Sequence, residues 1–407
     1  MAERARTPEL WLHEAWQGRA PVLVRAGLAA AAAAYRTALA ARSASFRVGL
    51  FSTHRLPVPV ISVGNVTVGG SGKTPLAETV ALALAEMGAR PAIISRGYGR
   101  RSRGVRIVAD GSGVLLRAGE GGDEPVLLAE RLPGIPVVVG ENRFEAGAVA
   151  LGRCGAGSLV LDDGFQHKTL AKDLELVAVS GREPWGSGRL FPRGSLREPL
   201  SAFRRADIVV VTNAPTPAVT SDIAHVLRRK GSRAVVLSGS YQATALRRDE
   251  QRPFKGPQAL GESPQALGES PQALAESPKA LAGRRVLVLA GLAAPEGFVA
   301  TAVDLGAKVV GVAEFPDHYW YTAGDLARVV AHARDKGAEA VLTTEKDWVR
   351  IRDIPPGPRR ESHAQRPRGD IPFWVLSIRL DMGGDREPLV QTLAATLKRV
   401  AVGRRMP

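Results

Sequence analysis

The sequence predicts an α/β protein of two domains, one built on a parallel sheet and a smaller α/β one, preceded by a helical N-terminal segment. Three observations carry that prediction. Short β-branched runs alternate with helix-patterned segments from residue 58 onward, the alternation of βαβ units. One run, Val58 to Val63, leads through Gly69-Gly70-Ser71-Gly72 into a helix start at Lys73-Thr74. A length of 407 residues holds about two domains of ordinary size. The expected organisation is a helical segment over 1–50, a first domain over 51–213, a smaller α/β domain over 214–372, and a strand and helix over 373–407 that return to the first domain.

In residues 9–50, Trp11, Trp16, Val22, Leu23, Val24, Leu28 and an alanine run are interrupted by Arg19, Arg25, Arg36, Arg42 and Arg47. No uninterrupted apolar run approaches the ~20 residues of a bilayer span. Arginine and tryptophan among apolar residues suit a membrane-associated helix, in or on an anionic leaflet. The same residues also suit an alanine-rich helix packed on the first domain. A cleaved secretory leader is disfavoured, because the apolar part begins late and lies among arginines. The formal charge of +15 favours an anionic partner: nucleic acid, a lipid surface or a phosphorylated substrate. The single Cys154 excludes an internal disulfide framework and fits a reducing compartment.

The turn at 69–74 has the chemistry of a phosphate cradle, so the first domain is expected to be P-loop NTPase-like. Its glycines let the backbone wrap an anion, and the helix start points N–H groups at it. Lys73 would reach the β- and γ-phosphates, with the Thr74 hydroxyl on Mg²⁺. Thr67 stands where a strict Walker A loop has its first glycine, which makes this the Gly-Gly-x-Gly-Lys-Thr variant. A helix over 74–87 and a strand over 90–95 follow. The strand ends in Arg96-Gly97-Tyr98-Gly99-Arg100-Arg101, at the carboxyl edge where α/β sheets bind ligands. Asp123-Glu124-Pro125 precedes a helix over 126–131. These carboxylates are either N-terminal charges favoured by the helix dipole or, beside a phosphate loop, a base and a metal ligand.

Strands are expected over 135–140, 158–163, 174–180 and 207–212. The second of them delivers Asp162 and Asp163 at its carboxyl end, as a Walker B acid reaches Mg²⁺, although paired aspartates also simply form turns. His167 either orients the site or caps its loop. Arg197 and Glu198 lie in a basic loop over 182–205, whose arginines suit phosphate oxygens. The second domain is expected to have strands over 234–238, 285–292, 308–315 and 340–344. Between the first two, Pro-Gln-Ala-Leu-Gly-Glu-Ser occurs at 257, again at 264 and nearly again at 271 and 278; a proline in each seven-residue unit excludes a coiled coil. Residues 249–283 are expected to be a disordered insertion. His318, in Phe315-Pro316-Asp317-His318-Tyr319, suits a proton partner for a carboxylate, and Thr343-Thr344-Glu345-Lys346-Asp347 follows a strand.

Assembled, these residues closely resemble the tetraacyldisaccharide 4'-kinase family, the lipid A 4'-kinases of Gram-negative envelope synthesis. The resemblance runs from about residue 46 to the C-terminus, apart from the insertion. It is carried jointly by Val-Gly-Gly-Ser-Gly-Lys-Thr-Pro, Ser-Arg-Gly-Tyr-Gly-Arg, Gly-Asp-Glu-Pro, Leu-Asp-Asp-Gly-Phe-Gln-His, Leu-Arg-Glu-Pro-Leu, Phe-Pro-Asp-His-Tyr and Thr-Thr-Glu-Lys-Asp. It implies a P-loop kinase domain and a smaller α/β domain that closes over ATP. It also implies γ-phosphoryl transfer to the 4'-hydroxyl of an acylated glucosamine disaccharide 1-phosphate, at the cytoplasmic face of the inner membrane. Asp123 would be the base, supported by His318 from the other domain, the two meeting only on closure. Lys73 would hold the phosphates, Thr74, Glu124, Asp162 and Asp163 would lie near Mg²⁺, and Arg143, Arg197 and Glu198 would contact phosphate or substrate.

One departure and two rivals bear on this reading. Gly291-Leu292-Ala293-Ala294-Pro295 stands where family members usually have Gly-Ile-Gly-Asn-Pro. A switch-like or metal-delivery GTPase/ATPase could use the same loop, but there is no Asn-Lys-x-Asp motif and no lysine at 68. A nucleic-acid binder is permitted by charge but supported by no recognition motif.

Overall fold

The computed structural model describes residues 15–16, 19–70, 72–248, 275–292, 294–352, 354 and 371–403. The N-terminal helix α1 (Val22–Arg47) is followed by β1 (Val60–Gly64), α2 (Lys73–Glu86), β2 (Pro91–Ser95), β3 (Arg106–Ala109), α3 (Ala118–Gly121), α4 (Asp123–Arg131) and β4 (Val137–Val139). Next come α5 (Arg143–Cys154), β5 (Ser158–Asp162), β6 (Leu174–Ser180), β7 (Ile208–Thr212), α6 (Pro217–Arg229), β8 (Val235–Arg248) and β9 (Ala275–Glu276). The remainder is β10 (Arg285–Ala290), α7 (Pro295–Asp304), β11 (Lys308–Glu314), α8 (Ala323–Asp335), β12 (Ala340–Thr344), α9 (Glu345–Ile351), β13 (Phe373–Asp381) and α10 (Arg386–Gly403).

The strands of both halves join in one sheet, ordered β11-β10-β12-β13-β8-β7-β6-β1-β5-β2-β4-β3, with β9 paired to β8. Pairing is parallel except at β3–β4, β8–β13 and β8–β9. Strands β1, β2, β4, β5 and β7 are buried along their whole length, which explains their unbroken apolar runs: helices cover both faces of a parallel sheet. Leu76, Val80 and Leu84 of α2 pack on Ile61, Val63 and Ile93 at one face, joined by Leu389 and Leu393 of α10. Ala146 and Ala150 of α5 cover Leu159 and Leu161 at the other. In the second half, Phe298 and Ala302 of α7 pack on Val286 and Val288, while Val329 and Ala333 of α8 pack on Leu287 and Leu289.

The boundary expected at 213 falls inside this sheet. β8 runs parallel to β7 up to Gly239, opposite Thr212, and antiparallel to β13 from Ser240, opposite Asp381. One 14-residue strand therefore belongs to both halves, where a short strand over 234–238 was expected. The disordered insertion expected over 249–283 also needs correction at its end. Ala275–Glu276 pairs with β8, and Pro278–Leu281 forms a 3-10 turn whose Leu281 is fully buried in the second-half core. The heptapeptide units at 257 and 264 lie outside the described residues.

Candidate active site

The site forms where the carboxyl ends of β1, β2 and β5 meet α2, and where α9 reaches across from the second half. Gly72 ends the phosphate loop at the N-cap of α2 with φ +83°, a left-handed conformation that favours glycine. A Cβ placed there would fall 1.7 Å from the Tyr241 hydroxyl, so that position also admits no side chain for reasons of space. Gly69 and Gly70 face open space, and Ser71 lies outside the described residues. Lys73 opens α2 with its ammonium 3.9 Å from Asp163 Oδ1, while Thr74 occupies the next position, half-buried.

Asp162 ends β5 and Asp163 follows it, and the two carboxylates meet different partners. Asp163, at φ +54°, accepts Arg197 Nη1 at 3.0 Å on each carboxylate oxygen. Burial opposes its charge, yet Lys73 and Arg197 hold its pKa below the usual carboxylate range. Asp162 is 1% exposed; its Oδ2 accepts a 3.2 Å hydrogen bond from Ser95, and its Oδ1 is buried without a partner. Burial, with the charges of Glu124 and Asp163, pushes its pKa up to about 7. A buried carboxylate oxygen lacking a donor is costly unless a cation meets it. Glu124 lies close enough for its charge to act on Asp162, and Thr74 follows Lys73 at the start of α2; such an all-oxygen donor set fits Mg²⁺ completed by phosphates and water. Among the described residues, no three His, Cys, Asp or Glu side chains gather as a complete protein-only metal site.

Asp123 begins α4, so both carboxylates of Asp123-Glu124 sit in a helix's first turn. Its Oδ1 accepts the Glu124 N–H at 2.9 Å, and its Oδ2 lies 2.9 Å from His318 Nδ1 and 3.5 Å from Arg350 Nε. Burial favours the neutral acid, but the His318 hydrogen bond and the charges of His318, Lys346 and Arg350 hold its pKa below the ordinary value. For His318, burial favours the neutral ring and the Asp123 bond outweighs it, raising the pKa. The Lys346 ammonium lies 3.1 Å from Glu124, 3.0 Å from Asp317 and 3.2 Å from His318 Nε2. Burial disfavours its charge, and Glu124, Asp317 and Asp123 nevertheless raise its pKa. The histidine and aspartate expected to meet only on closure are thus in contact in this structure.

The other sequence candidates are distributed around this centre. Arg143 is buried at the start of α5, donating to the Gly140 and Glu141 carbonyls, within the field of Asp162. Glu198 is bonded through both oxygens to Arg205. It lines a cavity of about 670 Å³ beneath α1, with Arg36 and Arg47 of that helix and Lys168, Lys172 and Arg205 from the body. His167 contacts Thr169 at 2.8 Å, and burial with nearby Arg143, Lys172 and Arg42 pushes its pKa down to about 4. Helix α1 is long and apolar enough to cross a membrane, and only 6% of its most apolar window is buried. It is nonetheless tied to the site's loops: Tyr35 donates to the Arg197 carbonyl, and Lys168 donates to Ser43.

A family model for tetraacyldisaccharide-1-P 4'-kinase (LpxK) matches residues 24–398. The chain belongs to the tetraacyldisaccharide 4'-kinase family. A family member from Anaeromyxobacter sp. (strain Fw109-5) is 41% identical over 96% of this chain and 95% of its own length. Another, from Anaeromyxobacter dehalogenans (strain 2CP-C), is 43% identical over 84% of this chain and 85% of its own. The crystal structure of LpxK from Aquifex aeolicus in complex with ATP aligns with TM-score 0.65 and 28% identity, covering 92% of this chain and 99% of that one. Within this family frame, sequence reasoning left Lys346, Asp317, Arg350 and Tyr241 without roles. For the first three, the available signal was their place in Phe-Pro-Asp-His-Tyr and at or just beyond Thr-Thr-Glu-Lys-Asp; Tyr241 carried no local signal.

Proposed function

We propose that the chain transfers the γ-phosphoryl group of ATP to the 4'-hydroxyl of an acylated glucosamine disaccharide 1-phosphate, giving lipid IVA. The observation that carries this reading is the meeting of a Gly-Gly-x-Gly-Lys-Thr loop with a carboxylate–imidazole pair at 2.9 Å and a buried, unpartnered carboxylate oxygen. Asp123 accepts the acceptor hydroxyl's proton as the oxygen bonds to phosphorus and ADP leaves, with His318 orienting the carboxylate. Lys73 and the loop's backbone N–H groups hold the phosphates. Thr74, Glu124 and Asp162 would hold Mg²⁺, which would supply neutralisation of the phosphate charge. Asp163 acts through Arg197 and Lys73, keeping both cations on the phosphate side.

Glu198 and Arg143 would shape the acceptor side, and the basic cavity under α1, which Glu198 and Arg205 line, suits the acceptor's own phosphate. The exposed apolar surface of α1 would place that cavity at the cytoplasmic surface of the inner membrane. The test offers γ-labelled ATP with lipid disaccharide 1-phosphate in detergent micelles. Label in the lipid is the expected result; labelled free phosphate alone would instead support a hydrolytic switch.

A further inference from the structure

The glycines of the phosphate loop have unequal surroundings. A Cβ on Gly69 or Gly70 would meet nothing within 4 Å, whereas one on Gly72 would fall 1.7 Å from the Tyr241 hydroxyl and 3.2 Å from Cγ2 of Thr212. Of these three glycines, only the one that turns into α2 rests on a floor, and the nearest atom of that floor is a phenol oxygen.

That oxygen comes from the strand both halves share. Tyr241 lies on β8 just past Gly239, opposite Leu380 of β13. Its backbone is pinned from the end of β7: Asn213, at φ +52°, donates its N–H to the Gly239 carbonyl at 2.8 Å and accepts the Tyr241 N–H on Oδ1 at 2.7 Å. The ring packs on the core that includes Leu76 of α2 and Leu380. Its hydroxyl oxygen is buried, and the polar side chain that acts on it is Thr212. Burying a hydroxyl costs free energy that a phenylalanine would not, so packing alone does not account for a tyrosine here.

We propose that Tyr241 is a positioning residue for the phosphate loop: its hydroxyl seats Gly72 in the left-handed turn that ends the loop, and so fixes the loop in the shape that receives the nucleotide's phosphates. The inference rests on the nucleotide role proposed above for that loop.

Glycines lose more conformational freedom than other residues when they are ordered. A loop seated before the ligand arrives spares part of that cost at binding, and the saving appears as affinity. Burial pushes the Tyr241 pKa up to about 12, so the group under the loop is a neutral hydroxyl near neutral pH and sets no negative charge against the phosphates. Tyr241 touches the loop and not the reacting atoms. Its loss should therefore weaken ground state and transition state alike, raising KM for ATP without lowering kcat.

The test is Tyr241→Phe in the full-length protein, which keeps the ring and removes the oxygen beneath Gly72. The Kd for Mg-ADP by titration calorimetry and the KM for ATP should both rise by about five- to tenfold, while kcat and the KM for lipid stay within about twofold of wild type. Without nucleotide, the melting temperature should stay within a few degrees, which separates positioning of the loop from support of the fold. A folded Tyr241→Phe protein with wild-type Mg-ADP affinity would overturn the proposal, as would one that lost kcat at unchanged affinity. Asn213→Ala keeps the hydroxyl but unpins its strand, and a smaller loss of the same affinity is expected. Should Tyr241→Phe not fold, Asn213→Ala decides, and an unchanged Kd there counts against the proposal. Failure of the kinase reading is separate: wild type would bind Mg-ADP and label no lipid, and the comparison of Kd values would stand.

Discussion

Asp162 is kept where its charge is expensive, and the metal-holding role proposed for it would show in that cost. Its folded pKa of about 7 lies above the ordinary carboxylate value, so the group lowers stability progressively as pH rises from the unfolded pKa through the folded one. Asp162→Asn should therefore stabilise the metal-free protein at pH 8 by on the order of 2 kcal/mol, while removing the rise in melting temperature that Mg²⁺ with nucleotide produces. Thermal melts with and without Mg-nucleotide check both parts. Asp123→Asn should lower kcat by roughly 10²- to 10⁴-fold with nucleotide affinity retained, measured by lipid phosphorylation and by ATP binding. The four acids were legible in the sequence because each pair follows a strand or opens a helix beside a phosphate loop. The division of labour between Asp162 and Asp163 was not, because it depends on Arg197, 34 residues downstream, reaching one carboxylate and not the other. Lys346 was hidden for the same reason: its three partners lie in two distant segments.

At the scale of single elements, burial decides what sequence pattern can reveal. The parallel strands β1, β5 and β7 are buried end to end and appear as unbroken apolar runs. β8 alternates exposed and partly buried positions and crosses Gly239-Ser240, so most of its length looked like connecting chain. Residues 275–283 continue the seven-residue repeat with a near-copy at 278, which hides a packed turn, although Leu281 has no exposed surface. Leu281→Ala should cost about 2–4 kcal/mol, read from denaturant melts, whereas deleting 257–274 should leave both melting and activity near wild type. A deletion carried on through 283 should lose stability, since it removes β9 and the buried turn.

The whole molecule is held across its middle by ions as well as by strands. Arg131, at the end of the helix that Asp123 begins, is bonded to Glu78 of α2 and to Glu345 of α9, and all three side chains are buried. Arg131→Met leaves two buried carboxylates short of a partner and should cost roughly 3–5 kcal/mol, measurable by chemical denaturation. No local pattern could announce such a bridge, since it joins residues 53 and 214 positions apart. Removing residues 1–47 should abolish co-sedimentation with anionic vesicles, because α1 is the element that exposes Val22 and Leu23. The shared strand β8 has a mechanical meaning as well. Where Gly239 hands over to Ser240, tension in either half passes directly into the backbone of the other, so there is no slack joint along which the two could melt apart. Scanning calorimetry should record a single heat-absorption peak, and two resolved peaks would reveal a fault line at that handover.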